Sequence, residues 1–113
     1  MAFELAADAA TVLSNGSVEV KLTYTCDKDN ARLEVWGNSR ESIGEKVTVT
    51  VTCDGKPHQV TVTVVPKTLF GKTEPFAKGD EFTLGGEIFA TVTKDGFSIM
   101  PETREVRRSF TLT

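Results

Sequence analysis

From Lys46 to Lys67 the chain carries two runs in which Val alternates with Thr, on either side of Cys53-Asp54-Gly55-Lys56-Pro57. No other stretch limits the possible folds as tightly. Alternation with period two puts Val47, Val49, Val51 and Cys53 on one face of an extended segment and Thr48, Thr50 and Thr52 on the other. The second run repeats the pattern, with Val60, Val62 and Val64 inward and Thr61 and Thr63 outward. β-branched residues at nearly every position suit a pleated, half-buried surface. Asp54-Gly55 is a tight-turn signal, so the sequence predicts one central β-hairpin over residues 46–67.

The remaining segments read in the same way. A strand over Ser17–Cys26 follows the Asn15-Gly16 turn and aligns Val18, Val20, Leu22, Tyr24 and Cys26 on one face. A third covers Ala31–Gly37, with Leu33 and Val35 inward and Trp36 opposite. Residues 38–45 form a loop with a short helical turn. Residues 68–79 form the longest irregular stretch. A strand over 80–84 is broken or bulged at Gly85-Gly86 and resumes over 87–93. Lys94-Asp95-Gly96 turns the chain into a short strand, Pro101-Glu102 punctuates it, and a last strand covers 103–113. Arg108 shares a phase with Val106, Phe110 and Leu112, so it must snorkel or lie at a sheet edge. The first strand falls on Ala9–Leu13, with residues 1–8 as a flexible arm. About seven strands, with turn signals roughly every 8 to 12 residues, predict an all-β domain: a two-sheet antiparallel immunoglobulin-like sandwich, or else a small barrel.

At 113 residues the chain is one domain, and a charged share of 26% does not indicate disorder. A net charge of -3 without a basic patch argues against nucleic acid, and no apolar run is long enough for a membrane span. Two cysteines, Cys26 and Cys53, each end an inward strand face and each precede an Asp. They are either two separate buried thiols or one disulfide. The even count and shared placement favour the disulfide, which would add roughly 3–4 kcal/mol and indicate an oxidising compartment. The start Met1-Ala2-Phe3-Glu4-Leu5 has no basic and apolar leader, so the expectation is a mature secreted or cell-envelope chain carrying an added Met, or a virion protein.

Three segments carry a resemblance: Tyr24-Thr25-Cys26, the block from Val51 to Val62, and Pro75-Phe76-Ala77-Lys78-Gly79-Asp80. Together they are similar to small secreted actinobacterial β-sandwich proteins that form a family of unknown function. The resemblance covers roughly residues 17–80 and implies an exported domain with its cysteines paired. It brings no catalytic or binding residue with it.

Candidate chemistry is sparse. Asp27, Asp29, Asn30 and Asp54 would cluster oxygen ligands suited to Ca²⁺ if the disulfide forms, although solvated turns use the same residues. No other cofactor is indicated. His58, the single histidine, sits at a turn without a triad around it, and no paired carboxylates mark a cleft, so an enzyme is not expected. Asn15-Gly16-Ser17 fits the glycosylation pattern but reads first as a turn. Leu69, Phe70 and Phe76 on the long loop either cap the core or anchor a partner, and Trp36 and Arg40 form a second candidate anchor. The expected function is a non-enzymatic secreted or cell-envelope binding module for an unknown protein or cell-surface partner. The alternatives are a structural assembly protein (a virion decoration or tail domain, or a surface-layer subunit) and a small protein inhibitor. Homo-oligomers are compatible with all three, and the outward Thr stripes would serve edge-to-edge pairing, with Lys46 and Lys67 discouraging unwanted pairs.

Overall fold

The computed structural model describes residues 3–28, 31–94 and 97–113, and of 91–94 and 97–101 the backbone alone. Every regular element among them is a strand. In chain order these are β1 (Glu4–Val12), β2 (Val18–Thr25), β3 (Ala31–Asn38), β4 (Val47–Thr50), β5 (Pro57–Val64), β6 (Thr68–Leu69), β7 (Lys72–Thr73), β8 (Glu81–Lys94) and β9 (Phe97–Thr111). One antiparallel sheet has the order β1-β2-β5 and the other β4-β3-β8-β9, while β6 and β7 pair with each other. The chain crosses between the sheets after β2, after β4 and after β5, the alternation of an immunoglobulin-like sandwich, and the sheets do not close into a barrel.

The alternation read from the sequence sets the faces. Val18, Val20, Leu22 and Tyr24 of β2, Leu33 and Val35 of β3, and Phe82, Leu84, Ile88 and Ala90 of β8 join one buried cluster. Burying each large apolar side chain there contributes roughly 1.5–3 kcal/mol. The same cluster takes Val62 and Val64 of β5, so the phase of the second Val/Thr run is as expected.

The pairing of that run is not. β4 pairs with β3, Arg32 opposite Thr50 to Val35 opposite Val47, whereas β5 pairs with β2 along its whole length, Val18 opposite Val64 to Thr25 opposite Pro57. Residues 46–67 are therefore an arch that spans the two sheets, not a hairpin. Six residues, 51–56, separate β4 from β5 and carry the chain from one layer to the other. Along it the Thr52 N–H donates to Tyr24 Oη at 2.7 Å, and the Gly55 N–H donates to the Cys26 carbonyl at 2.8 Å. Cys53 lies on this crossing, joined to Cys26 in a disulfide with the two Cα atoms 4.5 Å apart. The bond ties the end of β2 to the arch, as the shared strand-end placement predicts.

Other boundaries also move. The first strand begins at Glu4, with Phe3 and Ala7 buried, so residues 4–8 belong to the sheet and are not an arm. Ala7 and Ala10, the buried residues of β1 itself, are too small to give a strong periodic signal. A bulge between Ala7 and Ala9 turns Asp8 outward, where Thr23 Oγ1 and Gln59 Nε2 donate to its carboxylate. Residues 38–45 contain no helical turn but a bend and an Asn38–Ile43 bridge. β8 runs unbroken through Gly85 and Gly86, because bare backbone there makes room for other side chains. Trp36 lies over Gly85 on the outer face, and Leu22 and Leu5 approach Gly86 on the inner. The irregularity in the β8–β9 ladder falls between Ala90 and Val92. β9 likewise runs through Pro101, which an edge strand tolerates since it needs no outward N–H. Beyond Ala90, β8 leaves β3 and continues paired to β9 alone, so a two-stranded ribbon projects past the sandwich. The molecule is correspondingly long, 49 × 28 × 18 Å.

Candidate functional site

The sequence-derived candidates separate into three places. At the arch, Asp54 accepts hydrogen bonds from the Lys56 N–H at 2.9 Å and pairs with His58 Nε2 at 2.8 Å. His58 stacks on Tyr24, with ring centroids 5.5 Å apart. The His58 hydrogen bond, and then that from Lys56, hold the Asp54 carboxyl below the usual carboxylate range. This carboxylate is thus committed to shaping its own turn. Asp27 lies 3.6 Å from Lys28. Asp29 and Asn30, the other two proposed calcium ligands, lie outside the described residues. Among the described residues no group of three His, Cys, Asp or Glu side chains could hold a metal ion.

On the outer face of the four-stranded sheet, Trp36 is half-buried against Gly85, with Lys46 Nζ 5.3 Å from its ring and 3.3 Å from Glu34. Lys46 is thereby occupied on this face and does not flank β5. Arg40 is exposed in the 39–45 loop, beside a separate cleft lined by Ser39, Glu41, Gly79, Asp80 and Glu81. The structure does not bring Trp36 and Arg40 together with the aromatic residues of the long loop.

That loop is itself divided. Phe76, grouped with Phe70 as a candidate anchor, is buried and meets the Phe82 ring edge-on at 5.3 Å. Its N–H donates to the Gly16 carbonyl, and Pro75 packs against Gly16, so residues 75–76 close one end of the core. Phe76 is a core residue because the Asn15-Gly16 turn leaves a gap there. In that turn Asn15 Oδ1 accepts the N–H of the buried Ser17, the turn chemistry expected for this motif.

Phe70 does the opposite. It sits at the tip of the β6–β7 hairpin with a relative exposure of 104%. Leu69 and Lys72 pair, so Phe70-Gly71 is a two-residue loop, and both residues have positive φ, 53° and 76°. A hairpin turn of this type selects Asn, Asp or Gly at its first position. Phe70 is the one non-glycine residue with positive φ among the described residues. Holding a Cβ-bearing residue in this region costs roughly 1–2 kcal/mol. The turn geometry could have been suspected from Gly71, but the strand pair that demands it has only two residues a side and leaves no periodic signal.

The exposed large hydrophobic residues, Ile43, Val65, Leu69 and Phe70, gather at this pole. The Lys67 N–H bonds the Ile43 carbonyl and the Glu45 N–H bonds the Val65 carbonyl, which brings the 43–45 loop against 65–67. A groove of about 240 Å³ runs between Ile43, Leu69 and Phe70, rimmed by Glu41, Lys67, Lys72 and Glu74. Ile43 and Val65 were not among the sequence-derived candidates, since Ile43 is a lone apolar residue in an irregular segment and Val65 falls out of phase behind Val64. The rim carries both signs of charge. Its chemistry suits a partner with an apolar pocket and a mixed polar margin. Among the described residues no helix is long and apolar enough to cross a membrane. No protein-family model, curated protein or solved structure matches the chain.

Proposed function

We propose that this is a non-enzymatic, exported binding module whose contact surface is the Phe70 pole. One observation carries the reading: a fully exposed Phe is held in a backbone conformation that other residues adopt at lower cost. Neither packing nor turn geometry calls for an aromatic ring there. An aromatic anchor entering a partner's pocket does, and such residues dominate the energetics of interfaces. A rigid sandwich is a suitable mount for a binding loop. The disulfide supports an oxidising location, and the resemblance to exported actinobacterial sandwiches agrees with it. With both sulfurs joined there is no thiolate nucleophile, and the His58 ring is occupied by Asp54 and Tyr24, which supports a non-catalytic role. An inhibitor that inserts the same hairpin into an enzyme is a special case of this reading.

The test pairs two immobilised chains, wild type and Phe70→Asn, against extract of the source organism. The expected result is a protein retained by the wild type, lost from the variant, and reconstituted as a stoichiometric complex from purified components. Identical retention by both chains overturns the proposal.

A further inference from the structure

The two sheets have four edges, and three of them carry devices that block strand pairing. β1 is bulged at Asp8 and covered by the other sheet: Arg108 Nη1 donates to the Ala7 carbonyl at 2.9 Å, and the Val12 N–H reaches the Thr113 carbonyl. β4 is only four residues long. β9 bears Glu102, Arg104, Glu105, Arg107 and Arg108 along its length. Short strands, bulges and charges are the usual means of protecting an edge. Past Pro57 at its first position, β5 has no such device. It runs eight residues in unbroken register with β2 and contains no Asp, Glu, Lys or Arg. Among the described residues its backbone makes no hydrogen bond outside that ladder. Its outward N–H and C=O groups form an open template.

We infer that this edge pairs with β5 of a second copy, giving a two-fold dimer with a continuous sheet β1-β2-β5-β5-β2-β1. The occupant is argued from self-complementarity. Antiparallel pairing about Thr61 sets Thr61 opposite itself, Gln59 opposite Thr63 and Val60 opposite Val62. Every pair then joins like faces, Val60 with Val62 and His58 with Val64 inward and Thr with Thr or Gln outward, and no like charges oppose each other. Val60, only half-buried in one copy, is covered by the second copy's Val62. β9 paired with itself about Arg104, Glu105, Arg107 or Arg108 would instead set that charge opposite its own copy. The inference rests on the β5 edge alone and is independent of the Phe70 surface.

Sedimentation equilibrium of the purified chain, with amide exchange of β5 followed against concentration, tests it. The expected result is a monomer–dimer equilibrium in which β5 amides gain protection as dimer forms. Thr61→Lys sets two ammonium groups opposite each other on an exposed position and should weaken association by about tenfold or more, with the melting temperature of the monomer unchanged. Thr63→Lys, also exposed, should act in the same direction and guards against a folding defect at position 61. A chain that stays monomeric at about millimolar concentration, the weakest affinity on the usual scale, overturns the inference. So does a dimer insensitive to both lysines, a dimer lost on Phe70→Asn, or a monomer whose β5 edge pairs only with a foreign extended segment.

Discussion

Two phenylalanines six residues apart show how little a residue type says by itself. Phe76 fills the end of the core against Phe82, while Phe70 stands free on a strained turn. The consequences for stability have opposite signs. Phe76→Ala should lose roughly 3–5 kcal/mol in urea denaturation, the usual cost of emptying an aromatic core site. Phe70→Asn should gain about 1 kcal/mol, since Asn tolerates the left-handed region and no packing is lost. A loss of stability at Phe70 would show that its ring packs on the fold. Asp54 supplies a pH-dependent prediction at the same scale. Its carboxyl is held low in the folded chain, first by His58 and then by Lys56. The stabilisation is therefore complete above the unfolded-state value and is lost as the pH falls through the lower folded value. Asp54→Asn should flatten the acid limb of a stability–pH curve and leave the curve above the unfolded carboxyl range nearly parallel to that of the wild type.

Elements depend on neighbours that periodicity does not register. Gly85-Gly86 looks like a break in a strand, yet β8 passes through because Trp36 and Leu22 occupy the space that side chains would take. β-propensity alone favours Val over Gly in a strand. The structure reverses the sign: Gly85→Val must displace the Trp36 ring and should cost roughly 1–3 kcal/mol, with a shift in Trp36 fluorescence as the specific readout. The disulfide works at this scale too, holding the end of β2 to the arch across 27 residues of sequence. Its removal in a Cys26→Ala/Cys53→Ala double variant should lower stability by roughly 3–4 kcal/mol through the loop entropy it no longer restricts. A loss under 1 kcal/mol would mean that the arch is fixed by its hydrogen bonds to Tyr24 and Cys26 instead.

Across the whole molecule, the arch decides which surfaces are available. Had residues 46–67 closed into a hairpin, β4 would cover the outer edge of β5. Because β4 lies in the opposite sheet, that edge is open at the side of the molecule, while the apolar pole lies at one end and the β8–β9 ribbon projects from the other. Native-state hydrogen exchange should follow this layout in dilute solution. Amides of β2, β3 and the Thr83–Ala90 part of β8, each flanked by strands on both sides, should exchange slowest, and those of β4, β6 and β7 fastest. Equal protection of β4 and β2 would contradict the split arrangement.

The sequence by itself determined an all-β domain and the inward and outward phase of β2, β3, β4 and β5, and it favoured the pairing of Cys26 with Cys53 that the structure contains. These follow from rules that act over a few residues: the period of the pleat, the turn preference of Asn-Gly, and the even count of cysteines, whereas the Asp54-Gly55 signal marks a bend of the arch and not a hairpin. Partner choice is different in kind. A Val/Thr run fits any neighbour that offers a matching face, so β4 and β5 satisfy their alternation equally well as a hairpin or in separate sheets. Only the tertiary structure decided between them, because burying both Val faces against opposite layers of one core removes more apolar surface from water than a two-stranded ribbon can. The same global choice placed Phe76 inside and left Phe70 and the edge of β5 outside. The groups that define the proposed surfaces are accordingly the ones local pattern describes least.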